Sequence, residues 1–172
     1  MRFGYADPPY PGHTKRSRYK HDPLNAEVDH AVLVASLVAD YPDGWALSSS
    51  SSALRDILPL CPPDIRVMAW VKPFCSFKPN VNPAYTWEPL IVRGGRKRER
   101  FETTVRDFVS CNIIIKAGLC GAKPDGFIDW LCEVLNVQPG DTVDEPFPGT
   151  GRVGARITER LATQAGKARG DG

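Results

Sequence analysis

The sequence predicts an α/β domain built on a largely parallel sheet. Short apolar runs alternate along the 172 residues with segments whose apolar residues recur every three or four positions. That alternation is typical of strands joined by helices. Apolar residues make up 42% of the chain and charged residues 24%, as in an ordinary globular protein of one domain.

Six strands are predicted, each from a short apolar run bounded by turn-forming residues. They are residues 3–6, 44–47, 65–71, 85–92, 108–115 and 142–147. The first strand must end at Asp7, because neither Pro8 nor Pro9 can donate a hydrogen bond to a neighbouring strand.

Four helices are predicted from apolar residues at helical spacing. These residues are Val28, Ala31, Val32, Ala35, Val38 and Ala39; Leu54, Ile57 and Leu58; Phe127, Ile128, Leu131, Val134 and Leu135; and Val153, Ile157 and Leu161. The five serines at 48–52 are interpreted as a strand-to-helix loop with a serine N-cap rather than as a linker. Pro124 is expected in the first turn of the third helix. The domain is predicted to span 1–164, followed by a flexible tail at 165–172.

The composition also argues against several classes of protein. No apolar stretch approaches the length of a membrane span, and the N-terminal residues do not resemble a secretion signal, so we expect a protein of the bacterial or phage-infected cytoplasm with no membrane partner. The five cysteines form no C-x-x-C pair and the three histidines no H-x-x-H pair, so neither a disulfide framework nor a metal site is expected.

Basic charge is concentrated in two runs, although the net charge of +2 excludes a uniformly basic nucleic-acid coat. The first run comprises Lys15, Arg16, Arg18 and Lys20, and the second comprises Arg93, Arg96, Lys97, Arg98 and Arg100. Each run could be an ordinary solvated loop. The functional interpretation is a pair of arms that contact nucleic-acid phosphates near strand ends.

The most informative segment is Asp7-Pro8-Pro9-Tyr10 at the end of the first strand. An exocyclic amine of adenine or cytosine is a poor nucleophile, because its lone pair is delocalised into the ring. A carboxylate and a rigid backbone carbonyl before a proline can accept its hydrogen bonds and localise that lone pair. A neighbouring aromatic ring can stack on the base. The alternative interpretation is a turn that only terminates the strand.

A second segment combines two acids with a glycine turn after the last predicted strand. It reads Asp144-Glu145-Pro146-Phe147-Pro148-Gly149-Thr150-Gly151. Such a turn lets a ligand approach the backbone closely. An ordinary strand-to-helix turn would show the same spacing.

Together these segments resemble S-adenosylmethionine-dependent amino-methyltransferases that act on nucleic-acid bases. The order, with the D-P-P-Y motif first and the cofactor loop last, is similar to the circularly permuted β-type DNA adenine-N6 and cytosine-N4 enzymes and to the messenger-RNA-type adenosine methyltransferases. Further matches are Ala69-Trp70-Val71-Lys72, Trp87-Glu88-Pro89-Leu90-Ile91-Val92 and Ala122-Lys123-Pro124. The resemblance implies a Rossmann-like methyltransferase sheet flanked by helices and S-adenosylmethionine as cofactor.

Carried over residue by residue, the resemblance implies two groups of site residues. Asp7, Pro8, Pro9 and Tyr10 would hold the target amine. The cofactor would be bound by Asp7, Lys123, Asp144, Glu145, Phe147, Gly149, Thr150 and Gly151. Asp144 stands where the family usually has an apolar residue, so the functional acid of that loop could be Asp144 or Glu145.

Two other features depart from the family. Residues 158–172 show no strand followed by the acid that usually holds the cofactor's ribose, and no target-recognition domain is expected, since every insertion is short. The expected substrate is the N6 amine of adenine in DNA. RNA adenine N6, DNA cytosine N4 and an inactive binding module are the alternatives, and the small size leaves a homodimer or a partner subunit open.

Overall fold

The computed structural model describes residues 1–10, 28–75, 77, 79–114 and 121–170, and for residues 167–170 it describes the backbone alone. The strands are β1 (Arg2–Ala6), β2 (Gly44–Ser48), β3 (Arg66–Val71), β4 (Trp87–Gly94), β5 (Phe108–Ser110) and β6 (Thr142–Asp144). The helices are α1 (His30–Asp40), α2 (Leu54–Ile57), α3 (Asp125–Leu135) and α4 (Arg152–Gly170). Single 3₁₀ turns at Ser51–Ala53 and Leu58–Leu60 flank α2.

The strands form one mixed sheet in the order β5-β3-β4-β2-β1-β6. β1 is parallel to β2 and β6, and β3 is parallel to β5, whereas β4 is antiparallel to both β2 and β3. This architecture of a sheet flanked by helices confirms the predicted α/β class. The expectation of a largely parallel sheet is wrong at β4, because the described residues of 72–86 contain no helix to carry the chain back across the sheet.

Two predicted strands are shorter than expected. β5 ends at Ser110 because its neighbour β3 ends at the paired residue Val71 and offers no further partner. Residue 115, the end of the predicted strand, lies outside the described residues. β6 ends before Pro146, which cannot donate to a ladder.

The helix starts differ from the predictions by a few residues. α1 begins at His30 because the Asp29 side chain accepts hydrogen bonds from the amides of Ala31 (2.9 Å) and Val32 (3.1 Å). Ser48 is the last residue of β2, and the other four serines lie between β2 and α2 as expected. The expectation of a serine N-cap is wrong, since Ser50 makes no side-chain capping bond and the N-cap of α2 is Ala53. Pro124 precedes α3 rather than lying in its first turn.

α4 runs on to Gly170, so residues 165–170 of the predicted tail are helical. The division into domain and tail stays a prediction. Within the described residues, no helix combines the length and the apolar character that crossing a bilayer requires.

Two apolar cores cover the two faces of the sheet. On one face, Phe3 and Tyr5 of β1 pack with α3 and α4, and on the other, Ala6 of β1 packs with α1 and Leu47 of β2. The side-chain alternation along β1 therefore serves both cores. Gly4 is required on the α1 face, since a Cβ there would lie 2.4 Å from the ring of Tyr41.

Candidate active site

The candidate site lies at the edge of the sheet where β1 and β2 end, here called the carboxyl edge. Asp7 follows the last residue of β1. Because β4 runs antiparallel to β2, its first residues reach the same edge and bring Glu88 there. β3 ends at this edge next to β4, which places Lys72 beside Glu88. Lys123 enters from the segment before α3.

Lys123 is the centre of this cluster. Its ammonium Nζ lies 3.0 Å from Asp7 Oδ1 and 3.2 Å from Glu88 Oε2, and its side chain is only 5% exposed. It also donates to the hydroxyl of Tyr10 at 3.5 Å. The rings of Trp70 and Phe127 lie with their centroids 5.5 and 5.8 Å from Nζ. The cation is thus held by two carboxylates inside an aromatic surround, as a buried charge requires.

Glu88 joins the other half of the cluster. Its Oε2 accepts a hydrogen bond from the Tyr10 hydroxyl at 3.0 Å, and its Oε1 is paired with the ammonium of Lys72. Lys72 in turn lies 4.7 Å from the centroid of the Trp70 ring. Lys123 therefore contacts the D-P-P-Y motif directly, and Glu88, a carboxylate that the sequence analysis did not assign to the site, joins the two a second time.

The sequence did contain a signal for Glu88. It is an acid within an otherwise apolar strand, Trp87 to Val92, and a buried acid needs a cationic partner. Lys72 carries a similar signal, since it is a lysine directly following the apolar strand β3.

The charge state of the cluster follows from burial and from these contacts. Burial raises the pKa of Asp7, although Lys123 opposes that shift. Burial would also raise the pKa of Glu88, but Lys123 and Lys72 outweigh it and the pKa is lowered. Burial acts to lower the pKa of Lys123, but Asp7 and the other acidic groups keep it well above its ordinary value. Lys123 and Glu88 are therefore charged at neutral pH, and Asp7 is a more basic acceptor than an exposed aspartate.

The Tyr10 ring was expected to stack on a base. Its hydroxyl is engaged with Glu88, and it lies 3.5 Å from Asp7 Oδ1. Burial raises the pKa of this phenol well above its ordinary value, so it remains a hydrogen-bond donor at neutral pH. The stacking role stays a prediction, and the structure adds a hydrogen-bonding role.

The predicted cofactor loop follows β6 next to β1. Gly149 and Gly151 have φ of 50° and 70°, in the left-handed region that favours glycine. Apart from each glycine and its two chain neighbours, no described atom lies within 4 Å of where a Cβ would stand at either position. Thr150 is exposed between them, whereas Phe147 is half-buried against the α1 face. The turn at 149–151 is therefore accessible to a ligand, while Phe147 packs the loop against the core.

The structure separates the two acids of this loop. Asp144 Oδ2 is paired with the guanidinium of Arg2 at 2.6 Å, at the exposed edge of the sheet. Glu145 instead faces the first turn of α4, where a Cβ on Gly154 would lie 2.6 Å from Glu145 Oε1. Burial raises the pKa of Glu145, while a hydrogen bond from the Gly154 amide and the charge of Asp7 act in opposite directions on it. Glu145 is therefore the acid electrostatically coupled to the Asp7 cluster.

The basic run at 93–100 lies away from this cluster. β4 carries the chain from Glu88 at the carboxyl edge to Gly94 at the opposite edge, roughly 20 Å away at 3.3 Å per residue. Three of its five cations have protein partners. Arg93 pairs with Asp64 at 2.9 Å, Arg96 pairs with Asp141 at 2.6 Å, and Arg98 donates to the backbone carbonyl of Glu133.

Lys97 and Arg100 are exposed at that opposite edge. The other run, with Lys15, Arg16, Arg18 and Lys20, lies outside the described residues. The nucleic-acid role of both runs stays a prediction, but the described run does not border the candidate active site.

Comparison with known proteins bears on the fold. No protein-family model and no curated protein matches the sequence. Among the solved structures that match is the M1.HpyAVI–SAM complex, with a TM-score of 0.56 and 16% sequence identity, over 92% of this chain and 78% of that one. The match shows that the two chains share a fold, and the permuted order of motifs stays a prediction.

Proposed function

We propose that this chain transfers a methyl group from S-adenosylmethionine to an exocyclic amine of a nucleic-acid base, with the N6 amine of adenine in DNA as its target. The observation that carries the proposal is the joining of Asp7-Pro8-Pro9-Tyr10 with Lys123 in one buried cluster at the carboxyl edge. In α/β sheets, ligands bind at that edge. The shared fold with a protein crystallised with SAM supports the same proposal.

The residues present fit S-adenosylmethionine. Its methionine end carries a carboxylate and an ammonium, and the cluster offers a cation, Lys123, next to a partly exposed acid, Asp7. The open turn at 149–151 offers close approach to backbone groups, and Glu145 is the nearby acid of the loop. When bound, S-adenosylmethionine would supply an electrophilic methyl group: the bond from sulfur to the methyl carbon would break as the bond to nitrogen forms, S-adenosylhomocysteine would leave as a neutral thioether, and the proton lost by the amine would pass to solvent.

The chain's own residues would prepare the nucleophile. Asp7 would accept a hydrogen bond from one N–H of the target amine, and a backbone carbonyl of Pro8 or Pro9 would accept the other. The raised pKa of Asp7 makes this acceptor stronger than an exposed carboxylate. Because the amine gains positive charge as its nitrogen bonds to carbon, a fixed carboxylate stabilises the transition state more than the ground state.

The other members of the cluster would position Asp7. Lys123 holds Asp7 Oδ1 and is itself held by Glu88, so the carboxylate is oriented before substrate arrives. Target bases in a duplex would have to be flipped out to reach this edge.

The proposal is tested by transfer of a labelled methyl group to duplex DNA, single-stranded DNA and RNA, followed by identification of the methylated nucleoside. Asp7→Ala should reduce transfer by about 100- to 1000-fold, the usual effect of removing one preorganised hydrogen-bonding contact. Asp56→Ala is the matched control, because Asp56 is exposed and is paired with its neighbour Arg55, and it should leave transfer unchanged.

The outcomes distinguish the alternatives. Methylated adenosine in RNA or N4-methylcytosine would replace the proposed substrate while keeping the reaction. Cofactor binding without any transfer would favour the inactive binding module. No cofactor binding at millimolar concentration, or full transfer by Asp7→Ala, would contradict the proposal.

A further inference from the structure

Exposed aromatic rings are concentrated in the segment that joins β3 to β4. Among the described residues, six Phe, Tyr or Trp side chains are at least 37% exposed, and four of them lie within residues 74–87. These four are Phe74 (53% exposed), Phe77 (77%), Tyr85 (54%) and Trp87 (37%). We call them the aromatic platform. Exposed apolar groups clustered in this way mark an interaction site more often than chance.

The segment that carries the platform begins and ends at the cluster. Lys72 and Glu88, which form an ion pair in the site, are the residues immediately before and after residues 73–87. Val71 and Trp87 are paired across β3 and β4. Phe74 is two residues beyond Lys72, so its Cα lies within about 7.6 Å of that residue's Cα.

Hydrogen bonds fix the backbone at both ends of the segment, whereas the four aromatic rings are exposed. The amide of Lys72 donates to the carbonyl of Thr86 at 2.8 Å, and the amide of Phe74 donates to Asn112 Oδ1 at 3.1 Å. Anchored ends reduce the entropy lost when a ligand orders the segment.

We infer that the aromatic platform stacks on unpaired bases that flank the target nucleotide, so that the substrate is bound as a single strand. This inference rests on the proposed function. Every base offers a π face to an aromatic ring once it is unpaired, whereas a duplex presents phosphates and base edges. The basic run at 93–100 lies at the far end of β4, so it cannot hold the nucleotides next to the target.

One of the platform residues supplies its own reporter. The chain has four tryptophans, of which Trp45, Trp70 and Trp130 are at most 5% exposed, while Trp87 is 37% exposed. Stacking of a base on Trp87 should quench its fluorescence, and the buried indoles should not respond. The probe is a 12-nucleotide single-stranded DNA with one adenine flanked by thymidines, compared with the same sequence as a duplex.

The single strand should quench the emission and bind more tightly than the duplex. Trp87→Phe should abolish the quench and keep the affinity within about threefold, since a phenyl ring also stacks. Phe77→Ala and Tyr85→Ala should each weaken binding by about 5- to 150-fold, the usual value of one base–aromatic stack. Phe101→Ala is the matched control, since Phe101 is 96% exposed outside the platform, and it should bind like the wild type.

Several results would overturn the inference. Equal binding of the single strand and the duplex would contradict it. Unchanged binding by Phe77→Ala and Tyr85→Ala would also contradict it. If the wild type still methylates DNA in that case, the proposed function stands without the inference. Concentration-dependent self-association that these variants abolish would assign the platform to a protein contact instead. A wild type that neither binds nor methylates any nucleic acid would remove the proposed function together with the inference.

Discussion

Glu88→Gln removes the carboxylate that joins Lys72, Lys123 and Tyr10 while it keeps the volume of the side chain. Glutamine retains one acceptor oxygen, but its amide cannot neutralise either ammonium. Lys123 keeps Asp7 as a partner at 3.0 Å. Lys72 loses the acid with which it is paired in the described structure. The perturbation therefore separates the electrostatic role of Glu88 from its packing.

The expected loss of stability follows from these contacts. Removing one partner of a buried ion pair costs about 3–5 kcal/mol. Glu88 is a fifth exposed, and Asp7 still compensates Lys123, so we expect a loss of about 2–3 kcal/mol in the free energy of unfolding at pH 7. The lowered pKa of Glu88 sets the pH dependence. A depressed folded-state pKa stabilises the protein above the unfolded value near 4.5, and this stabilisation is lost as pH falls through the lower folded-state pKa.

The assay is urea denaturation of the wild type and Glu88→Gln between pH 7 and pH 3. The difference in unfolding free energy should be full at pH 7 and should shrink below pH 4.5. Glu159→Gln is the matched control, because Glu159 is mostly exposed and is paired with Arg156 at 2.9 Å, and it should change stability by less than about 0.5 kcal/mol. A Glu88→Gln protein as stable as the wild type at pH 7, or a difference that does not change with pH, would refute the reasoning.

Three other predictions each concern one ionic or hydrogen-bonded contact, two in this cluster and one at Asp141. Tyr10→Phe keeps the ring but removes the hydroxyl that donates to Glu88. The kcat/KM for methyl transfer should therefore fall about tenfold, the usual effect of losing one hydrogen bond to a charged group. Wild-type kinetics would leave stacking as the whole role of Tyr10. Lys123→Met removes the cation that opposes the rise in the pKa of Asp7 caused by burial. The acid limb of the pH–rate profile should therefore move to higher pH. A limb that does not move would show that it does not report the titration of Asp7. Asp141→Asn should reduce the unfolding free energy at pH 7 by about 2–3 kcal/mol in thermal or urea melts, because the buried carboxylate holds an arginine and the N-terminal amine, both at 2.6 Å. Since burial is outweighed by these cations and the pKa of Asp141 is lowered, that stability should be present above its ordinary pKa near 3.8 and disappear below it.

The local structure of this chain could be predicted from the sequence because it depends on neighbours along the chain. The two prolines at 8 and 9 end β1, and the apolar spacing of 127–135 produces α3, whatever lies across the sheet. The chemistry of Asp7-Pro8-Pro9-Tyr10 belongs to this category as well, because the acid, the rigid backbone and the ring are adjacent in the sequence.

Only the tertiary structure decided which distant residues meet. The antiparallel course of β4 brings Glu88 to Tyr10, 78 positions away, and the same course carries the basic run at 93–100 to the opposite edge of the sheet. Likewise, the pairing of β1 with β6 brings Arg2 into an ion pair with Asp144. Glu145 is then the acid of the loop near Asp7. The spacing of residues along a strand reports which face a side chain occupies, but the direction and order of the strands determine which ends share an edge. Those are set by long-range pairing, which no local pattern in this sequence encodes.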